Sequence, residues 1–393
     1  MRKILYGLFF LSLLGGQLFR IPLYPGITIY PHDVFLIGLV FLELITQWKT
    51  LKTQRFALGK PLLVFIGVLV FSFLLTMASH TLPEQLEAFA YLVRFILYSG
   101  VYFLVAAANR KHIFLYGLYM LGVGVGVLGL MQFVWYPNLR NLSYLGWDPH
   151  YYRLFSTFLD PNFTGLFLLL SFLLGMYYVQ QKKLVMLILQ TILFISIILT
   201  LSRSTYVAFM GSIILYAILR KSWKVLLVFF LFVGILFWAP IPERERTPIL
   251  RQESSLARIT NWTESITLIR KAPVLGYGFN FLASQSNEIP NSQTVRSHAL
   301  AGVDNSFLFV LATSGIVGGV AFLFLLWSMT TLGLSSMRRK KSRTLGELYL
   351  LSLAAICIHS CFVNSFFYPW ILLWLWTFTG VIDSKGKNSL LVS

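Results

Sequence analysis

The sequence predicts an all-α polytopic integral membrane protein. Three observations carry that expectation. Hydrophobic residues make up 57% of the chain and aromatics 16%, the mean hydropathy is +0.74, and apolar runs of roughly 17 to 25 residues recur from one end to the other. Such a composition cannot be packed into a soluble core of 393 residues. Each run, by contrast, is long enough to cross a ~30 Å hydrocarbon layer as a helix. Residues 1–393 read as a single transmembrane domain of about 12 spans.

The first span, 4–19, follows Met1-Arg2-Lys3. No A-x-A-like cleavage site follows its apolar stretch, so it reads as an uncleaved helix and not as a secretory signal. Apolar runs at 34–48, 61–78, 86–108 and 113–135 give the next four spans. After a first long loop, 136–162, come 163–179, 184–201, 205–219 and 223–238; after a second, 239–305, come 306–334, 348–366 and 370–382. Cys357 and Cys361 lie four apart in one span, on one helix face but not in disulfide geometry.

Basic residues supply the orientation. One alternating set of loops holds 20 of the 32 Lys and Arg residues, including Lys49, Lys52, Arg55, Arg220, Lys221 and the run Arg338 to Lys341. The positive-inside rule makes that set cytoplasmic, places both termini inside and turns the two long loops outward. The formal charge of +18 is scattered through these loops and not gathered on one soluble face, which argues against nucleic acid as a partner. Of the remaining 12 cations, 11 are arginine, whereas the cytoplasmic set has 13 lysines to 7 arginines. Bidentate recognition of phosphate favours the planar guanidinium, so the outer face reads as built to hold an anion; pairing with outer carboxylates is the plainer account.

Loop 136–162 interleaves Tyr136, Tyr144, Trp147, Tyr151, Tyr152, Phe155 and Phe158 with Asp148, His150, Arg153 and Asp160. These rings suit an interfacial belt and equally suit sugar faces. In loop 239–305, Leu256, Ile259, Trp262, Ile266 and Ile269 recur at spacings of three and four. That stripe predicts an amphipathic helix over about 255–271, capped by Ser254 or Ser255, stopped by Pro273, and resting on the membrane surface or the bundle with Trp262 as anchor. Arg258, four residues before Trp262, can meet it. Gly276 and Gly278 then allow a tight return.

Two arginines stand at unusual places. Arg203 sits between two spans in LTLSRSTY, beside the unpaired N-H groups and positive dipole end of the following helix. Anion binding and simple snorkelling to the interface are both open readings. Arg94 lies well inside a span, with Glu87 two turns earlier on its face; it is either half of a structural pair or a substrate contact.

The segments RLFSTFLDPN, LTLSRSTY, RITNW followed by APVLGYGF, and VDNSFLFVLATSGIVGG occur in that order over roughly 153–319. Together they resemble the O-antigen ligase and Wzy-type polymerase superfamily, membrane glycosyltransferases acting on polyprenyl-diphosphate-linked glycans. The N-terminal half matches only as a set of spans, although GQLFRIPLYPG and Gln132 are compatible with it. The resemblance implies a GT-C-like fold and an inverting transfer on the outer side of the cytoplasmic membrane, with no cofactor and no metal. In it an acceptor hydroxyl attacks C1 of a sugar and polyprenyl diphosphate leaves. Its implied partners are the polyprenyl-diphosphate-linked donor, a glycan or lipid acceptor and the bilayer, with room for polysaccharide assembly proteins.

Carried over residue by residue, Arg203 and Arg258 match the two family arginines that engage the diphosphate. Asp304, before Asn305, stands where the ligases have the histidine taken as base. That departure shifts the expectation from ligase toward repeat-unit polymerase. An aspartate is the weaker base, with a reference pKa of ~3.9, unless partly desolvated; His298 is the alternative. Arg153, Asn162, Asn305, Arg296, His298 and Trp262 complete the substrate-binding candidates. A transporter or glycolipid flippase is the reading from another class, but no six-helix repeat is visible and most ionisable groups sit at the outer edge.

Overall fold

The computed structural model describes residues 2–24, 26–109, 111–179, 184–222, 224, 227, 230, 234, 252–282 and 302–383. Its helices, in chain order, are α1 (Arg2–Gly15), α2 (Pro31–Thr53), α3 (Gly59–Thr76), α4 (Leu82–Ala107), α5 (Lys111–Trp135) and α6 (Pro161–Val179). They continue with α7 (Leu184–Leu199), α8 (Arg203–Arg220), α9 (Gln252–Lys271), α10 (Ser306–Arg338), α11 (Arg343–Ser360) and α12 (Pro369–Ile382). Every expected span but the ninth coincides with one of them; the ninth, 223–238, falls largely outside the described residues, as do 239–251 and 283–301 of the second long loop.

Among the described residues, 6 helices are long and apolar enough to cross a membrane: α2 to α6 and α10. Ile4–Phe19, Leu184–Leu199 and Pro369–Ile382 are apolar but shorter. The chain is therefore a multi-pass, predominantly helical membrane protein. α8 and α11 are more polar than the expected spans because they pack against each other inside the bundle. Ser204, Thr205 and Ser212 of α8 and Glu347, Ser352 and His359 of α11 are all buried. A helix surrounded by helices does not need an apolar face toward lipid.

α12 lies at the centre. It packs on α4 and α5, and Trp370 and Trp374 are completely buried. Large rigid rings fill such a helix-helix interior with little loss of side-chain freedom. The Trp370 indole N-H donates to the Leu13 carbonyl at 3.0 Å, fixing α1 against this centre. At the other end of α12, Asp383 accepts from the Ala57 N-H at 2.8 Å and from the Tyr102 hydroxyl.

One departure from the all-α expectation is a short antiparallel hairpin of β1 (Ile21–Tyr24) and β2 (Ile27–Ile29), with Ile21 opposite Ile29. Its isoleucines favour extended backbone, and Gly26 supplies the positive φ of 82° that the turn requires.

α9 also differs from the expected helix. It already runs at Ser254 and Ser255, so neither begins it. The face against the bundle is set by Ser265 and Leu268, both buried, while Leu256, Ile259 and Ile266 are exposed. The apolar stripe thus straddles one edge of the contact, and Trp262 lies on the protein side, 6.2 Å from the Phe362 ring. Spacing located the stripe but could not tell which of its edges meets protein.

Candidate active site

A cavity of about 610 Å³ opens where one end of the bundle gathers helix starts. Its lining includes Tyr30 before α2, Glu87 and Tyr91 in the early turns of α4, Asn162 in α6, Arg203 at the start of α8, Asp304 before α10 and Tyr368 before α12. A helix start carries the positive end of its dipole, and several such ends therefore contribute to this lining. Arg203, Arg258 and Asp304, from three separate stretches of sequence, line this same cavity, together with Arg153, Asp148, His150 and Asp160.

Arg203 is held at its place by a buried polar network. Ser202 caps α8, accepting from the Thr205 N-H at 3.4 Å and donating to Asn162 Oδ1 at 2.9 Å. Ser204 Oγ lies 3.0 Å from His359 Nε2, and His359 Nδ1 lies 2.7 Å from Ser365 Oγ. The start of α8 is thereby tied to α6, α11 and the α11–α12 turn, which fixes the backbone that carries Arg203. His359 was not singled out in the sequence; a lone histidine in an apolar run gives no signal of its partners on other helices.

Arg258 stands on α9 and is partly exposed. One turn later, Asn261 Oδ1 accepts from the Asp304 N-H at 3.0 Å, and Asn261 Nδ2 donates to the Gly302 carbonyl at 3.3 Å. The helix that carries the arginine therefore also fixes the backbone that carries the carboxylate. Burial pushes the Asp304 carboxyl up to about 6; the Arg258 charge opposes that rise, while Asp148 and Asp160 add to it. Burial likewise raises Asp160.

Asn305 was expected to touch substrate. It lies outside the cavity lining among the described residues and instead caps α10: Oδ1 accepts from the N-H groups of Phe307 and Leu308 at 2.8 and 3.1 Å, and Nδ2 donates to the Cys361 carbonyl at 2.9 Å. Asn305→Ala is expected to lower stability by about 1–2 kcal/mol, the usual cost of losing a cap, measured as a fall in thermal unfolding temperature in detergent.

Arg153 lines the cavity, but its donors are committed to protein. Nε and Nη2 donate to the carbonyls of Thr200 and Leu201 at 3.0 and 3.2 Å, and Nη1 lies 3.3 Å from His150 Nδ1. It satisfies carbonyls left unpaired at the end of α7, a role that depends on a contact 47 residues away. Asn162 does line the cavity, bonded to Ser202. Trp262 lies outside the lining among the described residues. Arg296 and His298 lie outside the described residues.

Arg94 pairs not with Glu87 but with Asp33 at 2.8 Å, and donates to the Thr28 carbonyl at 2.5 Å. The helical spacing made Glu87 the local candidate; Asp33, on α2, is brought in by packing. Among the described residues, Asp148, His150 and Asp160 are a group whose donor atoms lie within 4.8 Å of one another, close enough to share a metal ion. Asp160 Oδ1 is also bonded by the N-H groups of Asn162 and Phe163 at 2.6 and 3.0 Å, so it serves as a cap of α6.

The two glycine clusters noted in the sequence meet. Gly315 interrupts α10 with a φ of 61°, and the freed carbonyls of Ala312 and Thr313 accept from the N-H groups of Tyr277 and Gly278, both at 2.9 Å. A Cβ at Gly276 would come within 2.4 Å of the Thr313 backbone, and one at Gly315 within 2.2 Å of Val274. Glycine is needed because two backbones touch, and the contact sets α9 against α10 behind the site.

The family model described as O-Antigen ligase matches residues 186–323, a stretch that contains Arg203, Arg258 and Asp304. The chain is also 24% identical over 298 residues to an O-antigen ligase of Salmonella typhimurium (strain LT2), a match covering 70% of this chain and 72% of that protein.

Proposed function

We propose that this chain, a member of the O-antigen ligase/polymerase superfamily, transfers glycan from a polyprenyl diphosphate carrier to an acceptor sugar hydroxyl. The convergence of Arg203, Arg258 and Asp304 on one cavity ringed by helix starts carries this reading. The two guanidinium groups and the dipole ends stabilise the charge that develops on the departing diphosphate. Asp304 accepts the proton of the attacking hydroxyl. The hydroxyl oxygen displaces the diphosphate at C1 in a single step, so the anomeric configuration inverts. Because arginines neutralise the leaving group, the reaction is expected to run without a metal ion. The excess of lysine and arginine in one set of loops supports a cytoplasmic-membrane protein with both termini inside and the cavity facing out.

Two acceptors fit. Asp304 in place of the ligase histidine favours a second repeat unit, hence polymerisation; the similarity to a named O-antigen ligase favours a lipid acceptor. Purified protein in liposomes given only a polyprenyl-diphosphate repeat unit is expected to produce a ladder of lengthening products, undiminished in EDTA. A single product that forms only when a lipid oligosaccharide is added would establish the ligase. Movement of the lipid-linked glycan across the bilayer with no new glycosidic bond would overturn the transferase reading.

A further inference from the structure

The cavity has a second wall that the diphosphate chemistry does not use. It is built by Gln17, Tyr30, Glu87 and Tyr91, from α1 to α4 and the turns between them. A volume of about 610 Å³ falls in the range of about 300–1,000 Å³ typical of sites for whole organic ligands, so it accommodates more than a diphosphate.

Arg94 also lines the cavity here, but it is paired with Asp33 at 2.8 Å, and its guanidinium lies 5.4 Å from the Tyr30 ring and 5.7 Å from the Tyr91 ring. A cation over each face holds the two rings in position. Glu87 lines the cavity and makes no hydrogen bond or ion pair among the described residues. The hairpin turn is shaped around it: a Cβ at Gly26 would come within 2.2 Å of its carboxyl oxygen. The Tyr30 hydroxyl donates to Gln17 Oε1 at 2.6 Å, which leaves the Gln17 amide N-H groups as donors.

A carboxyl without a cation repels phosphate but accepts hydrogen bonds from adjacent hydroxyls. The exposed Tyr91 ring offers flat apolar surface with a polar tip; Tyr30 is buried and stacked on His32 but still lines the cavity. An amide donor beside them completes the set of groups that recognise a neutral, hydroxyl-rich ring. We propose that Glu87, Tyr91, Tyr30 and Gln17 form the seat of the acceptor sugar, in the same cavity as the arginines that hold the donor diphosphate. This rests on the transferase reading and assigns its second substrate.

Native mass spectrometry of the full chain tests it with two probes: undecaprenyl diphosphate alone, and the lipid-free repeat-unit oligosaccharide. Glu87→Gln keeps the shape of the side chain, and Tyr91→Ala removes a ring from a partly exposed position; two different lesions guard against misfolding of either. Both variants are expected to bind undecaprenyl diphosphate as wild type does and to lose at least about tenfold in oligosaccharide affinity, the loss expected when a site built for hydroxyls is left incomplete. Unchanged oligosaccharide affinity, or weakened undecaprenyl diphosphate binding, would overturn the assignment. Wild-type protein that binds the oligosaccharide at this wall but not undecaprenyl diphosphate would instead sink the transferase reading and leave the sugar seat standing; binding of neither would remove both.

Discussion

Arg203→Lys is expected to slow glycan transfer by about two to three orders of magnitude, the loss typical of removing one preorganised donor to a developing oxyanion, while leaving the fold intact. Lysine keeps the positive charge and a similar helix propensity, so the start of α8 persists. Ser202 still caps it through the Thr205 N-H, and the Ser204–His359–Ser365 connections do not involve the substituted side chain. What lysine loses is the rigid fork that bonds two phosphate oxygens at once. The check is a pair of measurements on the same preparation: product formation from a polyprenyl-diphosphate donor, and thermal unfolding. Near wild-type turnover would sink the diphosphate clamp, and a large drop in unfolding temperature would assign the loss to the frame.

The position of Arg203 at a helix start was legible in the sequence for a local reason. A cation and a helix start must coincide where two apolar runs meet with only Ser202, Arg203 and Ser204 between them. The 6 membrane-length apolar helices among the described residues were legible on the same basis, from the length and apolarity of their runs. Contacts between distant elements were not. Arg94 and Asp33 are 61 residues apart, and helical spacing offered Glu87, which now stands on the cavity wall. Arg153 looked like a loop cation in the same way, but its acceptors belong to the end of α7. Gly276 and Gly278 suggested only a tight return; the approach of two backbones gives Gly276 and Gly315 one shared steric reason that neither segment shows alone. Amphipathic pattern had a similar limit in α9, where an exposed edge and a protein-facing edge are both apolar.

Asp304→Asn is expected to reduce kcat by about 10²- to 10⁴-fold, the range in which general bases contribute, and to change the pH profile in a way that separates a base from a binding group. With its pKa pushed up to about 6, chiefly by burial, Asp304 is ionised at neutral pH and accepts a proton more readily than an ordinary aspartate. Wild-type turnover should therefore fall by about tenfold per pH unit below about 6, and the asparagine variant should lack that limb. The same shift makes a stability prediction of opposite sense. The folded chain binds this proton more tightly than the unfolded chain does, so the stabilisation is complete below the unfolded value of roughly 4. It is lost as pH rises through about 6. At pH 7 the ionised carboxylate costs stability that asparagine does not, so the variant should unfold at a temperature no lower than wild type. The inactive variant would then be at least as stable as the active enzyme, which removes misfolding as an account of the lost rate. If the acid limb persists in the variant, the titrating base lies elsewhere, and His298 is the sequence's other candidate. Asp304 would in that case hold the acceptor hydroxyl without taking its proton, and its substitution should raise the acceptor KM instead of lowering kcat.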